Sequence, residues 1–191
     1  MRRTTEVSRK IVKISFQLES QTTRVPLPHK ILMGKSDNEG INVIVLRLLG
    51  YLMFFGEHML IDTHLHDHNI PFVPDLVRMN YEGHPEFWAE CGDCNAKKLN
   101  RLAVKVPEAE IWVLRRSPEE AEKIHRSITK AKLRKGRYHV IGFQPAMIDH
   151  LEELLTSRNE IFWMPAEFEP PQIQLDFNGH WIDETFTLLH Y

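Results

Sequence analysis

Cysteine is scarce in this chain, with two residues in 191. Two thiols cannot build a disulfide framework, so the pattern points to a reducing compartment, and the cytoplasm is the expected location. Long apolar runs are missing as well. The longest, Ile41 to Phe55, is interrupted by Asn42, Arg47 and Gly50 and falls short of the ~20 residues that span a bilayer. No membrane partner is expected. No secretory signal pattern is visible either, because Met1-Arg2-Arg3-Thr4-Thr5 leads into a charged stretch. The chain also lacks an excess of either charge: 24 Lys and Arg stand against 26 Asp and Glu, a net of −2. A global electrostatic grip on nucleic acid is thereby excluded, and any basic surface has to be local. Internal repeats and low-complexity tracts are absent, which excludes solenoid architectures. What is present is 42% hydrophobic and 26% charged, the composition of an ordinary globular protein, and the length suits a single domain over residues 1–191.

Hydrophobic periodicity places the elements. Val12, Ile14, Phe16 and Leu18 alternate with polar residues, which predicts a half-buried strand. The segment Arg24-Val25-Pro26-Leu27-Pro28 is expected to return as an edge or irregular strand. Ser36-Asp37-Asn38-Glu39 fits a capping box, so the first helix is expected over 37–55, with Ile44, Leu48 and Leu52 facing a core. Strands follow at 59–66, at Asp75 and at 85–90. Asn95 to Val106 reads as a helix, and the contiguous Ile111-Trp112-Val113-Leu114 as a central strand buried on both faces. Ser117-Pro118 opens a helix that ends near Gly136. Strands at 138–143 and 160–164 flank a helix at 146–155, and residues 165–171 are expected as a loop. Asn178-Gly179 between two apolar runs is a hairpin signal.

The chemistry-bearing stretch is Pro85 to Leu99. Strand alternation places Trp88, Glu90 and Gly92 on one face and Phe87, Ala89 and Cys91 on the other. Glu90 closes an apolar strand, where an ionised carboxylate needs a partner. Asp75 heads the strand before it. Two carboxylates on adjacent strands, followed by a lysine-rich helix, can form a divalent-metal site for phosphodiester chemistry. The plainer alternative makes Asp75 a strand entry and Glu90 one half of an ion pair.

Leu46-Arg47-Leu48-Leu49 on an apolar helix, then Pro74-Asp75, then Trp88-Ala89-Glu90-Cys91-Gly92 followed by Lys97-Lys98, resemble the YaeQ family. The first strand pair and the order from Glu110-Ile111-Trp112 through the Tyr138 strand to the terminal hairpin are similar too, so the resemblance extends over nearly the whole chain. That family is similar in fold to the PD-(D/E)xK nucleases. The resemblance implies an α/β domain of restriction-endonuclease-like type, a mixed central sheet flanked by helices. It also implies a magnesium-dependent phosphodiester hydrolase acting on DNA or RNA, with Asp75 and Glu90 as catalytic metal ligands. The lysine of that superfamily, two residues after the glutamate, is here Gly92, so Lys97 or Lys98 from the following helix takes its place as electrostatic stabiliser. An acid on the first helix would be Glu39. The missing lysine leaves open a catalytically inactive member that binds nucleic acid or protein.

Three further constellations stand beside this one. Cys91-Gly92-Asp93-Cys94 at a strand-to-helix turn resembles a thioredoxin active-site stretch, and a helix N-terminus lowers a thiol's pKa, which makes a thiol-disulfide oxidoreductase a third reading. The cis-proline segment that would accompany it is missing. His64, His66 and His68 would share a strand face suited to zinc, although their spacing matches no zinc motif, and exposed, solvated histidines are the plainer reading. Lys130 to Arg137 carries five cations in eight residues. Together with Lys97, Lys98, Arg101, Arg115 and Arg116 it could contact phosphates, or it is a solvated helix end.

Overall fold

The computed structural model describes residues 12–21 and 26–191. The strands fall into two mixed sheets rather than the one expected. The first sheet runs β10-β9-β8-β1-β2, with β1 Val12–Ser20, β2 Lys30–Lys35, β8 Arg158–Phe168, β9 Pro171–Phe177 and β10 His180–Thr185. The second runs β11-β7-β6-β5-β4-β3, with β3 Met59–Ile61, β4 Leu76–Met79, β5 Pro85–Glu90, β6 Glu110–Arg115, β7 Tyr138–Gly142 and β11 Thr187–His190. The helices are α1 Ile41–Phe54, α2 Ala96–Lys105, α3 Pro118–Lys130 and α4 Pro145–Leu154.

Alternation sorts each strand into two cores. Ile14, Phe16 and Leu18 of β1 and Leu175 and Phe177 of β9 face inward, onto α1 and α4. The same core takes Phe87, Ala89 and Cys91 from β5 and Trp112 and Leu114 from β6. The opposite face of the second sheet, with Trp88, Ile111, Val113 and Tyr138, packs on Leu99 and Leu102 of α2 and on Ala121, Ile124 and Ile128 of α3. So β6 is buried on both faces, and the two-face split of β5 is borne out. Helix α1 sits close on the second sheet because Gly50 has no side chain; a Cβ there would meet Leu76 and Leu114 at 2.9 Å.

Local chemistry explains most ends. Asn95 caps α2 by accepting from Lys98 N at 2.9 Å, and Ser117 caps α3 by accepting from Glu120 N at 3.1 Å, with Pro118 in the first turn. Asn178 and Gly179 take φ 53° and 83°, as a two-residue turn between β9 and β10 requires. Several expectations are corrected. The return strand is β2, not 24–28: residues 24 and 25 lie outside the described set, and 26–28 form no strand. Ser36 to Glu39 forms a turn before the helix, with Glu39 Oε2 accepting from Ser36 N at 3.4 Å, and α1 starts at Ile41 behind Gly40. β3 stops at Ile61, because the polar residues after it contribute nothing to a core. α3 ends at Lys130, where Lys132 takes φ 50°. β8 runs on through 165–168 by pairing with β9 across a register shift, so the expected loop shrinks to a turn.

Candidate functional site

Asp75 lies one residue before β4, and the pairing of Leu76 with Ala89 sets it beside the end of β5. Backbone amides reach it from there: Asp75 Oδ2 accepts from Cys91 N at 2.8 Å and from Gly92 N at 3.3 Å. Its other oxygen belongs to α1. Asp75 Oδ1 accepts from Arg47 Nε at 3.1 Å and Nη2 at 2.6 Å. Arg47 is only 2% exposed, buried within a largely apolar helix, and it also pairs with Glu39 Oε1 and donates to Gly34 O at 3.4 Å. Burial works against the Arg47 charge, but the Asp75 and Glu39 carboxylates outweigh it and hold the guanidinium pKa above its ordinary value.

Glu90 has a separate partner set. It is 2% exposed and shares a strand face with Trp88, whose Nε1 donates to Glu90 Oε1 at 2.9 Å. Lys98 Nζ from α2 reaches Glu90 Oε2 at 2.6 Å. Burial raises the Glu90 carboxyl; Lys98 and Trp88 oppose the rise, and the charge of Asp75 adds to it. The two acids therefore answer to cations from opposite layers, Asp75 to α1 and Glu90 to α2.

A cleft of about 770 Å³ opens here, lined among others by Glu39, Asn42, Asp75, Arg115, Arg116 and Lys123. It lies at the carboxyl ends of the parallel strands β5 and β6, the usual ligand position in α/β sheets. Glu90, Lys97, Lys98 and Arg101 are not in its lining. Lys97 is exposed, and Arg101 stands over the Phe72 ring at 5.5 Å. Arg115 donates to Gly92 O at 2.7 Å and to Cys94 Sγ at 3.0 Å, and Arg116 pairs with Asp149 at 2.6 Å. Of the cations read from the sequence, Arg115 and Arg116 reach the cleft wall and Lys98 reaches the acid.

The residues present do not fit a magnesium ion in this arrangement. Magnesium takes about six oxygens, several of them water, and is held through one or two carboxylates with oxygens free to ligate. Both Asp75 oxygens already accept two hydrogen bonds each, and Glu90 is buried away from the cleft. Among the described residues no group of three or more His, Cys, Asp or Glu is placed to hold a metal. His64, His66 and His68 are exposed in the segment after β3 and share no strand face. Burial raises the thiols of both Cys91 and Cys94, the reverse of an activated thiolate. In the basic run, Arg137 turns inward and donates to Val106 O and Ala109 O. Arg47 is the site residue that sequence reasoning passed over. The signal was there: it sits on the buried stripe with Ile44, Leu48 and Tyr51, where a cation needs acids.

The family model described as YaeQ protein matches residues 7–165 of the chain. No curated protein matches. Among the similar solved structures are two YaeQ proteins. The YaeQ protein from Xanthomonas axonopodis pv. citri is 14% identical, with a TM-score of 0.71 over 96% of this chain and 99% of that one. The YaeQ protein from Pseudomonas syringae is 15% identical, with a TM-score of 0.72 over 96% and 97%.

Proposed function

This chain belongs to the YaeQ family, and from that premise we propose that it holds nucleic acid in the cleft on a restriction-endonuclease-like, PD-(D/E)xK scaffold without cutting it. One observation carries the reading: Arg47 occupies the space between Asp75 and Glu39, and Asp75 has four donors on its two oxygens. The acid that would anchor a catalytic metal instead pins α1 to the β4–β5 strand ends. Arg115, Arg116 and Lys123 supply cationic groups at the cleft for a phosphate backbone, with Lys97 and Arg101 exposed on α2. Contacts of this kind position a strand without reading its sequence.

A metal-dependent phosphodiesterase using Asp75, Glu90 and Lys98 is the second reading. It is favoured by the 2.6 Å approach of Lys98 to Glu90, the placement the family resemblance implies for a lysine from the next helix. It requires Arg47 to release Asp75. Fluorescence anisotropy with labelled single-stranded DNA, duplex DNA and RNA, followed by gel analysis after incubation with magnesium or manganese, separates the two. The expected result is intact strands, with binding that weakens as salt rises from about 50 to about 200 mM and that falls in Arg116→Ala/Lys123→Ala. Cleavage that disappears in Asp75→Ala and Glu90→Ala overturns the non-cutting reading, and no binding to any of the three probes overturns the nucleic-acid assignment.

A further inference from the structure

The outer face of the five-stranded sheet carries no covering element among the described residues. Its inner face supplies Ile14, Phe16, Leu18, Ile161, Trp163 and Leu175 to the core, so the alternate residues point outward. Among the described residues, three of the seven large apolar side chains left exposed lie on this outer face: Leu32 at 56%, Phe162 at 38% and Trp181 at 54%. Register sets their neighbours. Glu19, Phe162, Asp176 and Trp181 stand in one row across β1, β8, β9 and β10. Leu32, Ser15 and Arg158 stand in another across β2, β1 and β8.

The charges on this face divide diagonally. Lys13, Lys30 and Arg158 lie around Leu32 toward the β2 corner, while Asp176 and Asp183 on β9 and β10 flank Phe162 and Trp181 toward the β10 corner; Glu19 on β1 extends the acidic side along the Phe162 row, with Glu160 between. Among the described residues none of these seven is in an ion pair, although Asp176 accepts from Gly179 N and Asp183 from Gln172 and Gln174. A two-fold axis lying in the plane of the interface brings the basic corner of one copy onto the acidic corner of the other, and Leu32 onto Phe162 and Trp181. The pattern complements itself, which is the condition for an isologous contact.

We infer that this face pairs with a second copy of the chain in a face-to-face sheet dimer. Five strands at ~4.8 Å spacing and about six residues of length cover a plan area of roughly 480 Å² per partner. Side-chain relief brings the accessible area toward the ~800 Å² per partner of stable complexes, and two stacked sheets settle about 10 Å apart.

The test is sedimentation velocity on the full chain and two charge-swapped variants across a concentration series. Wild type is expected to dimerise, with a dissociation constant that rises with salt. Glu19→Lys/Asp183→Lys makes both corners basic and Lys30→Glu/Arg158→Glu makes both acidic, so each alone is expected to dimerise at least about tenfold more weakly. Mixed together they are expected to form a heterodimer, which also shows that both variants are folded. A wild type that stays monomeric throughout the series overturns the proposal. So does a dimer that neither variant weakens, or a mixture that forms no heterodimer.

Discussion

Replacing Arg47 with methionine keeps most of the side chain's length in α1 and removes its charge. Asp75 and Glu39 are then left facing each other, with side chains only 14% and 16% exposed and no cation between them. Breaking a buried pair from one side costs about 3–5 kcal/mol, because the remaining carboxylates keep their desolvation without their partner. For a chain of 191 residues each kcal/mol moves the melting midpoint by about 2–4 °C, so the expected drop is roughly 6–20 °C. Urea denaturation with an unchanged m-value would report the free energy directly. Asp75→Asn placed on Arg47→Met should recover part of the loss, since it removes one unpaired charge and retains an oxygen for the Cys91 and Gly92 amides. The double-mutant cycle should therefore be strongly non-additive. A loss below about 1 kcal/mol with additive effects would mean that the triad behaves as a solvent-screened surface pair, and the account of Asp75 as a closed, structural acid would fail.

Three further outcomes follow from the same geometry. Glu90 has a raised carboxyl pKa in the folded chain, mainly from burial. Its contribution favours folding below the unfolded value near ~4.3 and is lost as pH rises through the higher folded value; the stability of wild type relative to Glu90→Gln should decline over that interval in denaturation curves, and a flat difference would refute the assignment. Cys91 and Cys94, both raised by burial, should react with a thiol reagent more slowly than a free thiol at pH 8 (Cys91 only on unfolding), and insulin reduction should be absent; fast reaction at neutral pH would restore the redox reading. Asn159, 1% exposed, donates to Ser15 O and Thr156 O and accepts from Thr156 N and Asn178 Nδ2. Asn159→Ala strands several of these groups at ~1–3 kcal/mol each, so a loss of at least about 3 kcal/mol is expected by urea titration, and a loss within 1 kcal/mol would mean that solvent reaches the site.

The parts of the fold that sequence showed are those governed by near neighbours. The two faces of β5 follow from the pleat, the cap of α3 from Ser117, and the terminal turn from Asn178-Gly179, because each of these forces acts over a few residues. The division into two sheets was not legible: β1 has the same alternating pattern whichever strand it pairs with, and its parallel partner β8 lies far along the chain. Pro26 and Pro28 carry an edge-strand signal, whereas the alternation within Lys30–Lys35 is short. In the candidate site, the Lys98–Glu90 contact is the ion pair of the plainer alternative, since a lysine in the first turn of the next helix lies over the strand end. The Arg47 triad was not legible, because Asp75 lies 28 residues further along the chain and only the fold brings it to α1.

The parallel pairing of β1 with β8 also bears on how the chain is born. Ser15 and Ser157, which meet at the junction, are 142 residues apart. At about 5–20 residues per second on a ribosome, roughly 7–30 s pass between their emergence. Through that interval Ile14, Phe16 and Leu18 have β2 alone beside them, and an open strand edge invites pairing with another nascent chain. Translation stalled before Arg158 should therefore yield aggregates rather than a partly folded domain, and chaperone dependence should fall once β8 has been synthesised.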